Sequence, residues 1–448
     1  MKKFLSLTVL ICLSFTLISC GQKEFVFEDD SEINFLGAAF TVFSKDEWLS
    51  EKRQRGASAS SDRFLNRIEK IEKDYNVRIA NESGNLENKI LAMTLNGGNG
   101  CDMIFCNNDI LYECYTLGIL TPFEEIGVKN TKDIKFGIPS LLIEGTFGGT
   151  QYGIINYLGD GAPGVSGFIQ INMNMMRDLG LTDPHEYFEK GEWNWENLRV
   201  ELIKGTVTEG EENHVGMLCP GPLLGGKSFF GPIISNGGYI IKEIDGTYQS
   251  GLTEQNAFEA MEFVVGLVND GILTLGTNGT PWDLWVEGRI WPFMMDGGPA
   301  VNDEIEYSII RFPYGPHGNK DIVAAYSYSR SYYAFTILSG FENSDIGVIV
   351  DDLFEPLDAG LYPEGWKDYT KENIFYCDSD YETYMTGLET MNYYPIGVLY
   401  GTNQWSNDEP VESAMENILF GRGGAQSEME SVKDFLNQII DEKLNYGQ

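Results

Sequence analysis

Strand and helix patterns alternate along the first third of the chain. Short apolar runs predict buried strands over residues 33–40, 77–80 and 102–106. Apolar positions at helical spacing, with matching end signals, predict the intervening helices: 64–75, 86–95 with Asn85 as cap and Gly97–Gly98 as stop, and one that ends at Gly118. This alternation predicts a mainly parallel α/β sheet.

A second α/β region follows Gln151. Residues 239–242 and 247–249, separated by Asp245–Gly246, predict a hairpin. Three helices are predicted by their caps and apolar faces: one from Trp195 with Asn194 as cap, one with Ala257, Met261, Val264, Val265 and Val268 on its face, and a last helix with Val432, Phe435, Leu436, Ile439, Ile440 and Leu444. The chain contains no internal repeat.

The amino terminus has the features of an export signal. Lys2 and Lys3 precede an apolar run that is short for a membrane span. The run ends in residues 17–20, Leu-Ile-Ser-Cys, which resemble the bacterial lipobox. We therefore expect residues 1–19 to be removed, Cys20 to carry lipid, and residues 20–31 to form a tether. The alternatives are a transmembrane anchor and an ordinary cleaved signal.

Length and charge limit the class of protein. The chain has 448 residues, more than one hydrophobic core usually serves, so two lobes are expected. Its formal net charge is −36, and loss of Lys2 and Lys3 would make it more negative. Such a chain repels phosphate backbones, which excludes nucleic acid as a partner. Contact with the membrane should then come from the lipid.

Cysteine and histidine spacing predicts neither a disulfide framework nor a metal site. Five cysteines lie beyond Cys20, an odd number, and they are expected to be free and mostly buried: Cys101, Cys106, Cys114, Cys219 and Cys377. His185, His214 and His317 are isolated along the chain, as expected of surface or hydrogen-bonded residues. No cofactor is expected.

Several segments, in order over residues 33–340, resemble the extracellular solute-binding proteins of ABC importers, the family that includes maltodextrin-binding proteins. The likeness fades towards the carboxyl terminus. The matching segments are 102–109 (DMIFCNND), 117–122 (LGILTP), 151–157 (QYGIINY), 168–172 (FIQIN), 178–181 (DLGL), 193–198 (WNWENL), 236–271 (beginning NGG), 285–295 (WVEGRIWPFMM) and 312–318 (FPYGPHG).

The resemblance implies two α/β lobes, each a mainly parallel sheet flanked by helices, joined by a hinge with the ligand in the cleft. Lobe 1 would comprise residues 32–150 and about 310–350, and lobe 2 residues 151–309 and about 351–448. It also implies a lipid-anchored receptor outside the cytoplasm, not an enzyme, that delivers a carbohydrate to the permease subunits of an ABC transporter. Two alternatives stay open: a non-sugar solute, and a surface carbohydrate-active enzyme or adhesin.

The first candidate ligand contacts lie near lobe 1. Asn108 and Asp109 follow a predicted strand end, and their oxygens can accept hydrogen bonds from vicinal hydroxyls. Asp109 aligns with an acidic sugar-binding residue of the family. The alternative for this segment is a helix cap. Tyr157 matches a polar contact position just past the first crossing, with packing as the alternative.

Aromatic residues supply the other candidates, because flat rings stack on sugar faces. Phe229 or Phe230 would face the cleft from lobe 2, with core packing as the alternative. Trp405 lies in a segment rich in Gly and Asn and is expected to stack on the sugar. Tyr326, Tyr328 and Arg330 share one face of an extended segment. Pro299 stands where the family often has a stacking Trp.

Other motifs do not fit their usual contexts. Residues 221–228 (GPLLGGKS) match the phosphate-loop pattern, but Pro222 and Pro232 do not suit a loop that opens a long helix. The chain contains no nucleophile elbow of the Gly-x-Ser-x-Gly type. Carboxylates are abundant, but a glycosidase needs two carboxyl groups at a set distance in space, which the sequence does not give. Counting carboxylates therefore does not exclude such an enzyme.

Overall fold

The computed structural model describes residues 33–45, 55–56, 59–138, 141–156, 165–206, 216–219, 227–275, 281–295, 299, 304–327, 331–337, 343–356, 365–390, 392–393 and 410–445. Within these ranges no helix has the length and apolar character that crossing a membrane requires.

Strands and helices alternate in the amino-terminal part. The elements are β1 (Ala39–Ser44), α1 (Ala59–Tyr75), β2 (Arg78–Ser83), α2 (Leu86–Leu95), β3 (Met103–Cys106), α3 (Asn108–Thr116), β4 (Leu120–Thr121), β5 (Thr146–Phe147), β6 (Thr150–Gln151) and β7 (Gly153–Ile154). The Asn85 side chain caps α2 by accepting a hydrogen bond from the Asn88 N–H, and Gly97 and Gly98 follow the helix at positive φ. Asn85 and Gly97–Gly98 therefore mark the start and the end of α2, as predicted.

The predicted strand over residues 33–40 is wrong, because β1 begins only at Ala39. Leu36 and Gly37 both have positive φ, 55° and 79°, which no strand accommodates. Leu36 is 86% exposed. The apolar residues of this segment thus form a turn before the strand.

The middle of the chain contains a second set of elements. These are β8 (Phe168–Asn172), α4 (Met173–Asp178), α5 (Pro184–Glu189), α6 (Trp195–Gly205), β9 (Met217–Cys219), α7 (Lys227–Ser235), β10 (Ile241–Ile244), β11 (Thr247–Ser250), α8 (Gln255–Asn269), β12 (Leu273–Leu275), α9 (Pro281–Val286), β13 (Pro292–Met294) and β14 (Tyr307–Arg311). Asn194 caps α6 through the Asn197 N–H. Asp245 and Gly246, both at positive φ, form the turn of the predicted hairpin β10–β11.

The carboxyl-terminal part of the chain adds strands and helices to both of these groups of elements. Its elements are β15 (Tyr326–Ser327), β16 (Tyr332–Thr336), α10 (Asn343–Leu353), α11 (Gly365–Asn373), α12 (Asp378–Thr390), β17 (Asn392–Tyr393), α13 (Pro410–Leu419), α14 (Ala425–Ser431) and α15 (Lys433–Lys443). Helix α10 packs on α1, α12 packs on β14, and α13 packs on α8.

Two sheets of mainly parallel strands organise these elements. The first has the order β2-β1-β3-β16-β4, with β7 also paired to β16, and the second has the order β12-β9-β13-β8-β14. We call each sheet with its packed helices a lobe, lobe 1 and lobe 2. The chain therefore passes from lobe 1 to lobe 2 between β7 and β8, returns between β14 and β16, and passes to lobe 2 again between α10 and α12.

Each lobe has its own core, and a further cluster joins them. Phe40, Ile71, Met103, Phe335 and Ile349 belong to the core of lobe 1. The lobe 2 core includes Leu198, Met261, Ile310 and Met415. The joining cluster contains buried residues from both lobes, among them Ile104, Phe168, Trp285, Ile309 and Tyr332.

A buried ion pair fixes α10 within lobe 1. Lys135 Nζ lies 3.1 Å from Asp351 Oδ1 and 2.9 Å from the Asp351 carbonyl oxygen, to which it donates a hydrogen bond. The Lys129 N–H donates to the other carboxylate oxygen. Because both charged groups are buried and hydrogen-bonded, removing either partner would leave an uncompensated charge. The last element of lobe 1 is thereby fixed before the chain crosses again.

The expectation of free cysteines is confirmed for the four whose side chains are described. Cys101, Cys106 and Cys114 are buried and unpaired, and Cys377 is exposed. Burial raises the pKa of the Cys101 and Cys114 thiols to about 12. These buried thiols are therefore uncharged and packed as small apolar groups.

Asp102 places a buried carboxyl just before β3. The side chain is 5% exposed, and its Oδ2 accepts a hydrogen bond of 2.6 Å from the Thr41 N–H. Burial raises the pKa of this carboxyl from 3.8 to about 6. The folded state therefore holds a proton that the unfolded chain has lost between these two values.

This raised pKa predicts a pH dependence of stability. The stabilisation is fully present below about pH 4 and is lost as the pH rises through about 6, because ionising the buried carboxyl then costs up to ~3 kcal/mol. Asp102→Asn keeps an acceptor for Thr41. It should raise the free energy of unfolding at pH 7.5 by roughly 1–3 kcal/mol, with a smaller difference near pH 4.

Urea unfolding at both pH values measures the effect of Asp102→Asn. Asp178→Asn, at an exposed position, is the control and should change little at either pH. Equal effects of Asp102→Asn at both pH values would contradict the raised pKa.

Candidate functional site

The strand directions place the carboxyl edges of both sheets next to the same two connections. Five strands of the first sheet run in one direction, and β16 runs against them. In the second sheet β8 is the reversed strand. The two connections leave the carboxyl ends of β7 and β14 and enter the amino ends of β8 and β16. Because β8 and β16 are reversed, all four of these strand ends lie at the carboxyl edges of the two sheets. Both carboxyl edges therefore face the connections, which is where α/β proteins bind ligands.

The two connections are hydrogen-bonded to each other. The Ser166 N–H donates to the Tyr326 carbonyl oxygen at 2.9 Å, and the Tyr326 N–H donates back to the Ser166 carbonyl oxygen at 3.0 Å. Strand β15, which Tyr326 begins, also pairs in parallel with β17. We call this group of segments the hinge, because the chain passes between the lobes here.

Gly167 allows the two connections to approach this closely. Its φ is +93°, and an added Cβ would overlap the carbonyl oxygen of Ala324. The obstacle is backbone from the opposite connection, which cannot rotate away as a side chain can. Only glycine fits this crossing without displacing the other segment.

The lobe 1 candidates lie at the carboxyl edge of its sheet. Helix α3 begins directly after β3, and Asn107 caps it by accepting a hydrogen bond of 3.1 Å from the Ile110 N–H. Asn107 therefore supplies the helix cap that was expected somewhere in this segment. Asn108 and Asp109 occupy the first helical positions, and their side chains lie outside the described part of the structure.

The lobe 2 aromatic candidates are buried in this structure. Phe229 and Phe230 lie in α7 with no exposed surface, inside the lobe 2 core. The Tyr326 ring is 2% exposed and meets Phe230 edge-on, with 5.8 Å between the ring centroids. In this conformation all three rings pack and none offers a face to a ligand. Tyr157, Tyr328, Arg330 and Trp405 lie outside the described residues.

An aromatic cluster beside α3 was not predicted. Tyr115 stacks on Phe147 with ring centroids 4.5 Å apart, and Tyr112 and Tyr152 complete the group. The Tyr112 hydroxyl donates a hydrogen bond of 3.1 Å to the Glu442 carbonyl oxygen of α15. This bond joins the lobes outside the hinge. The only signal in the sequence is two tyrosines three residues apart on one helix.

Three polar side chains from distant segments meet inside lobe 2. His185 Nε2 lies 2.8 Å from Ser308 Oγ, which donates a hydrogen bond to Asp380 Oδ1 at 2.8 Å. Burial raises the pKa of the Asp380 carboxyl. In a hydrolase triad the histidine bonds both the serine and the carboxylate. Here the serine is the middle residue, so the group ties α5, β14 and α12 together and is not a nucleophilic triad.

The other described titratable groups indicate no metal centre. His317 Nε2 lies 2.9 Å from Glu259 Oε2 on the surface of lobe 2. In the described part of the chain no group of three or more His, Cys, Asp or Glu side chains could hold a metal ion. His214 and Cys219 have no described side chain.

Comparison with known proteins identifies the class of fold. No protein-family profile and no curated protein sequence matches the chain. The cyclic α-maltosyl-1,6-maltose binding protein of Arthrobacter globiformis is similar in structure over 91% of this chain and 100% of its own, with a TM-score of 0.62 and 12% identity. The acarbose-binding GacH receptor of Streptomyces glaucescens covers 91% and 99%, with a TM-score of 0.61 and 12% identity.

A third similar structure was determined with a ligand of another type. UgpB of Mycobacterium tuberculosis, in complex with glycerophosphocholine, covers 91% of this chain and 99% of its own, with a TM-score of 0.61 and 15% identity. The chain thus has the two-lobed α/β fold of the solute-binding proteins, and the predicted fold class is confirmed.

The hinge geometry predicts the effect of Gly167→Ala. The substitution should lower the free energy of unfolding by ~3 kcal/mol or more, because it combines an unfavourable φ with a backbone overlap. Gly180→Ala is the matched control, since Gly180 also has positive φ but has no atom near its Cβ position. It should cost only ~1 kcal/mol.

Denaturant unfolding measures both glycine variants, and hydrogen exchange at the Ser166 and Tyr326 amides locates the damage. Equal costs for the two glycines would contradict a close crossing at Gly167.

Proposed function

We propose that the protein is an extracytoplasmic receptor that binds an oligosaccharide between its lobes and delivers it to an ABC importer. The observation that carries this proposal is the convergence of both carboxyl edges on the hinge, which allows loops of two lobes to meet on one ligand. The saccharides named for the Arthrobacter and Streptomyces proteins support the ligand class.

The ligand contacts belong to loops that adjoin these edges in sequence. Asp109, with Asn108, follows the carboxyl end of β3, and Asp109 accepts hydrogen bonds from a pair of sugar hydroxyls. Tyr157 follows β7, while Tyr328 and Arg330 precede β16, so each belongs to a connection. Trp405 stacks on a sugar face. No residue of this set is assigned a catalytic role.

A ligand panel tests the proposed class. Melting temperatures are measured with maltose, maltotetraose, a cyclic glucan and glycerophosphocholine at rising concentrations. A ligand present at 100 times its Kd should stabilise the fold by ~2.7 kcal/mol. We expect a saturable rise with at least one oligosaccharide. A response to none of the saccharides would contradict the proposal.

A second candidate function is the binding of a non-sugar polar solute. The UgpB structure, solved with glycerophosphocholine on the same fold, favours it. In the panel, a saturable response to glycerophosphocholine alone would select this candidate over the oligosaccharide receptor.

Substitutions at Asp109 and Trp405 test the site. Asp109→Ala should weaken binding of the best panel ligand roughly ten- to hundredfold, since a hydrogen bond to a charged group contributes ~1.5–3 kcal/mol. Trp405→Ala should cost a comparable amount through lost contact area. Titration calorimetry measures the affinities.

Glu113→Ala is the control for the site, because Glu113 is an exposed carboxylate on the same helix as Asp109. It should leave the affinity unchanged. Full affinity in both Asp109→Ala and Trp405→Ala would contradict the proposed contacts. A large fall in melting temperature without ligand would instead assign those residues to capping and packing.

The proposal includes a lipid anchor at Cys20. The Leu-Ile-Ser-Cys sequence supports it, together with the basic and apolar residues that precede it. Cys20→Ala should release the protein from membranes or block its processing, which cell fractionation detects. A mature amino terminus at any residue other than Cys20 would contradict the anchor.

A further inference from the structure

The exposed apolar side chains of lobe 1 lie at the edge of its sheet that is opposite the hinge. The large apolar side chains that are exposed among the described residues of this lobe are Leu36, Leu91, Leu95, Leu117 and Ile337. Leu36 precedes β1, Leu117 precedes β4, and α2, which carries the other two leucines, ends before β3. Ile337 follows the reversed strand β16, so it lies at the same edge. We call these five residues the amino-edge patch.

Backbone contacts hold the parts of the amino-edge patch close together. Ile337 packs against Gly98, just after α2, where an added Cβ would overlap its side chain. The Ile337 N–H donates a hydrogen bond of 3.2 Å to the carbonyl oxygen of Ile119, two residues after Leu117. The strands β1, β3, β16 and β4 are consecutive neighbours, so the row along the edge is only roughly 15 Å long. The exposed apolar side chains therefore form one surface and are not scattered singly, and such a surface indicates a contact site.

The proposed lipid anchor is connected to the fold at this same edge. Residues 33–38 lead into the amino end of β1 through the turn at Leu36, and the Gly37 N–H holds this turn by donating to the Asn76 carbonyl oxygen at 2.7 Å. The tether, residues 20–31, can span at most roughly 40 Å. A lipid on Cys20 would therefore keep the amino-edge patch close to a bilayer, at a high effective concentration.

The charges around the turn before β1 suit a lipid surface. Lys73, in the last turn of α1, and Arg78, at the start of β2, are exposed at this edge. Asp74 beside them is paired with Lys70 at 2.7 Å. Glu113, one turn before Leu117 on α3, is an exposed opposing charge at the other end of the row. Cationic side chains next to an apolar contact are attracted to anionic headgroups.

We propose that the amino-edge patch rests on the lipid bilayer beside the anchor. This inference depends on the proposed lipid at Cys20, because so small an apolar surface does not hold a protein at a membrane by itself. The carboxyl edge lies at the opposite end of the sheet, so this contact points the proposed ligand site of lobe 1 away from the membrane. The contact thus defines a resting orientation that is open to solutes, and delivery to the permease requires the patch to leave the bilayer.

Hydrogen exchange on tethered protein tests the contact. The chain from residue 20, with Cys20→Ser and an added amino-terminal hexahistidine, is held on phosphatidylcholine liposomes by a nickel-chelating lipid. This chain keeps every described residue, and its result does not depend on whether Cys20 is lipidated in cells. Peptides that cover residues 33–38, 95–101 and 117–119 should exchange at least about threefold more slowly on liposomes than in solution, while lobe 2 peptides should not change.

A patch variant combines Leu36→Asn, Leu95→Gln and Leu117→Gln, and it should lose the protection. Asparagine tolerates the positive φ at position 36. Val200→Gln with Ile203→Gln, at exposed positions of α6 in lobe 2, is the control and should keep the protection. If the patch variant fails to fold, Leu95→Gln alone, at a position that is 81% exposed, should still reduce it.

Ligand affinity separates this proposal from the proposed function. Both the patch variant and the control should bind the best panel ligand as the unmodified chain does, because the patch lies at the opposite end of the sheet from α3's first turn. The proposal is overturned by equal exchange on and off liposomes, or by protection that survives in Leu95→Gln and in the patch variant. The same protection in solution at rising protein concentration would also overturn it, since it would assign the patch to a second copy of the chain.

Discussion

The reciprocal hydrogen bonds between Ser166 and Tyr326 are the contact on which the two-lobed arrangement depends. They align the two connections as a short antiparallel ladder. Gly167 then allows the backbone of one segment to lie against the Ala324 carbonyl group of the other. Because each connection enters the reversed strand of a sheet, this alignment orients both sheets at once. The directions of both carboxyl edges follow from it.

The amino ends of the reversed strands β8 and β16 are apolar, so polar chemistry between the lobes has to come from loops. Loops at the carboxyl ends of parallel strands carry polar side chains more readily than the strands, which are buried on both faces. Phe168 and Tyr332, at the amino ends of the reversed strands, belong to the cluster that joins the lobes. The lobes therefore meet through apolar packing at this point, and the polar contacts of the proposed ligand site would come from the neighbouring loops.

Much of the local structure could be predicted because its causes are local. Asn85 and Asn194 cap their helices, and Asp245–Gly246 forms the hairpin turn, since each depends on a few neighbouring residues. Leu36 was misread because an apolar residue at positive φ resembles a strand residue in sequence. The burial of Phe229 and Phe230 was not predicted, because periodicity cannot distinguish a helix face towards the core from one towards a cleft.

The parts that the sequence could not predict join distant segments. His185 and Ser308 are 123 positions apart, and Ser308 and Asp380 are 72 apart, so no spacing rule connects them. The bond from Tyr112 to the carbonyl oxygen of Glu442 spans 330 positions.

Solution scattering with and without ligand tests most directly whether the two lobes bind a ligand between them and close over it at the hinge. The protein is measured alone and with the saccharide that gives the largest melting shift, at a concentration that calorimetry shows to be saturating. A ligand bound between the lobes should lower the radius of gyration, because the lobes close over it. An unchanged scattering profile at proven saturation would contradict it.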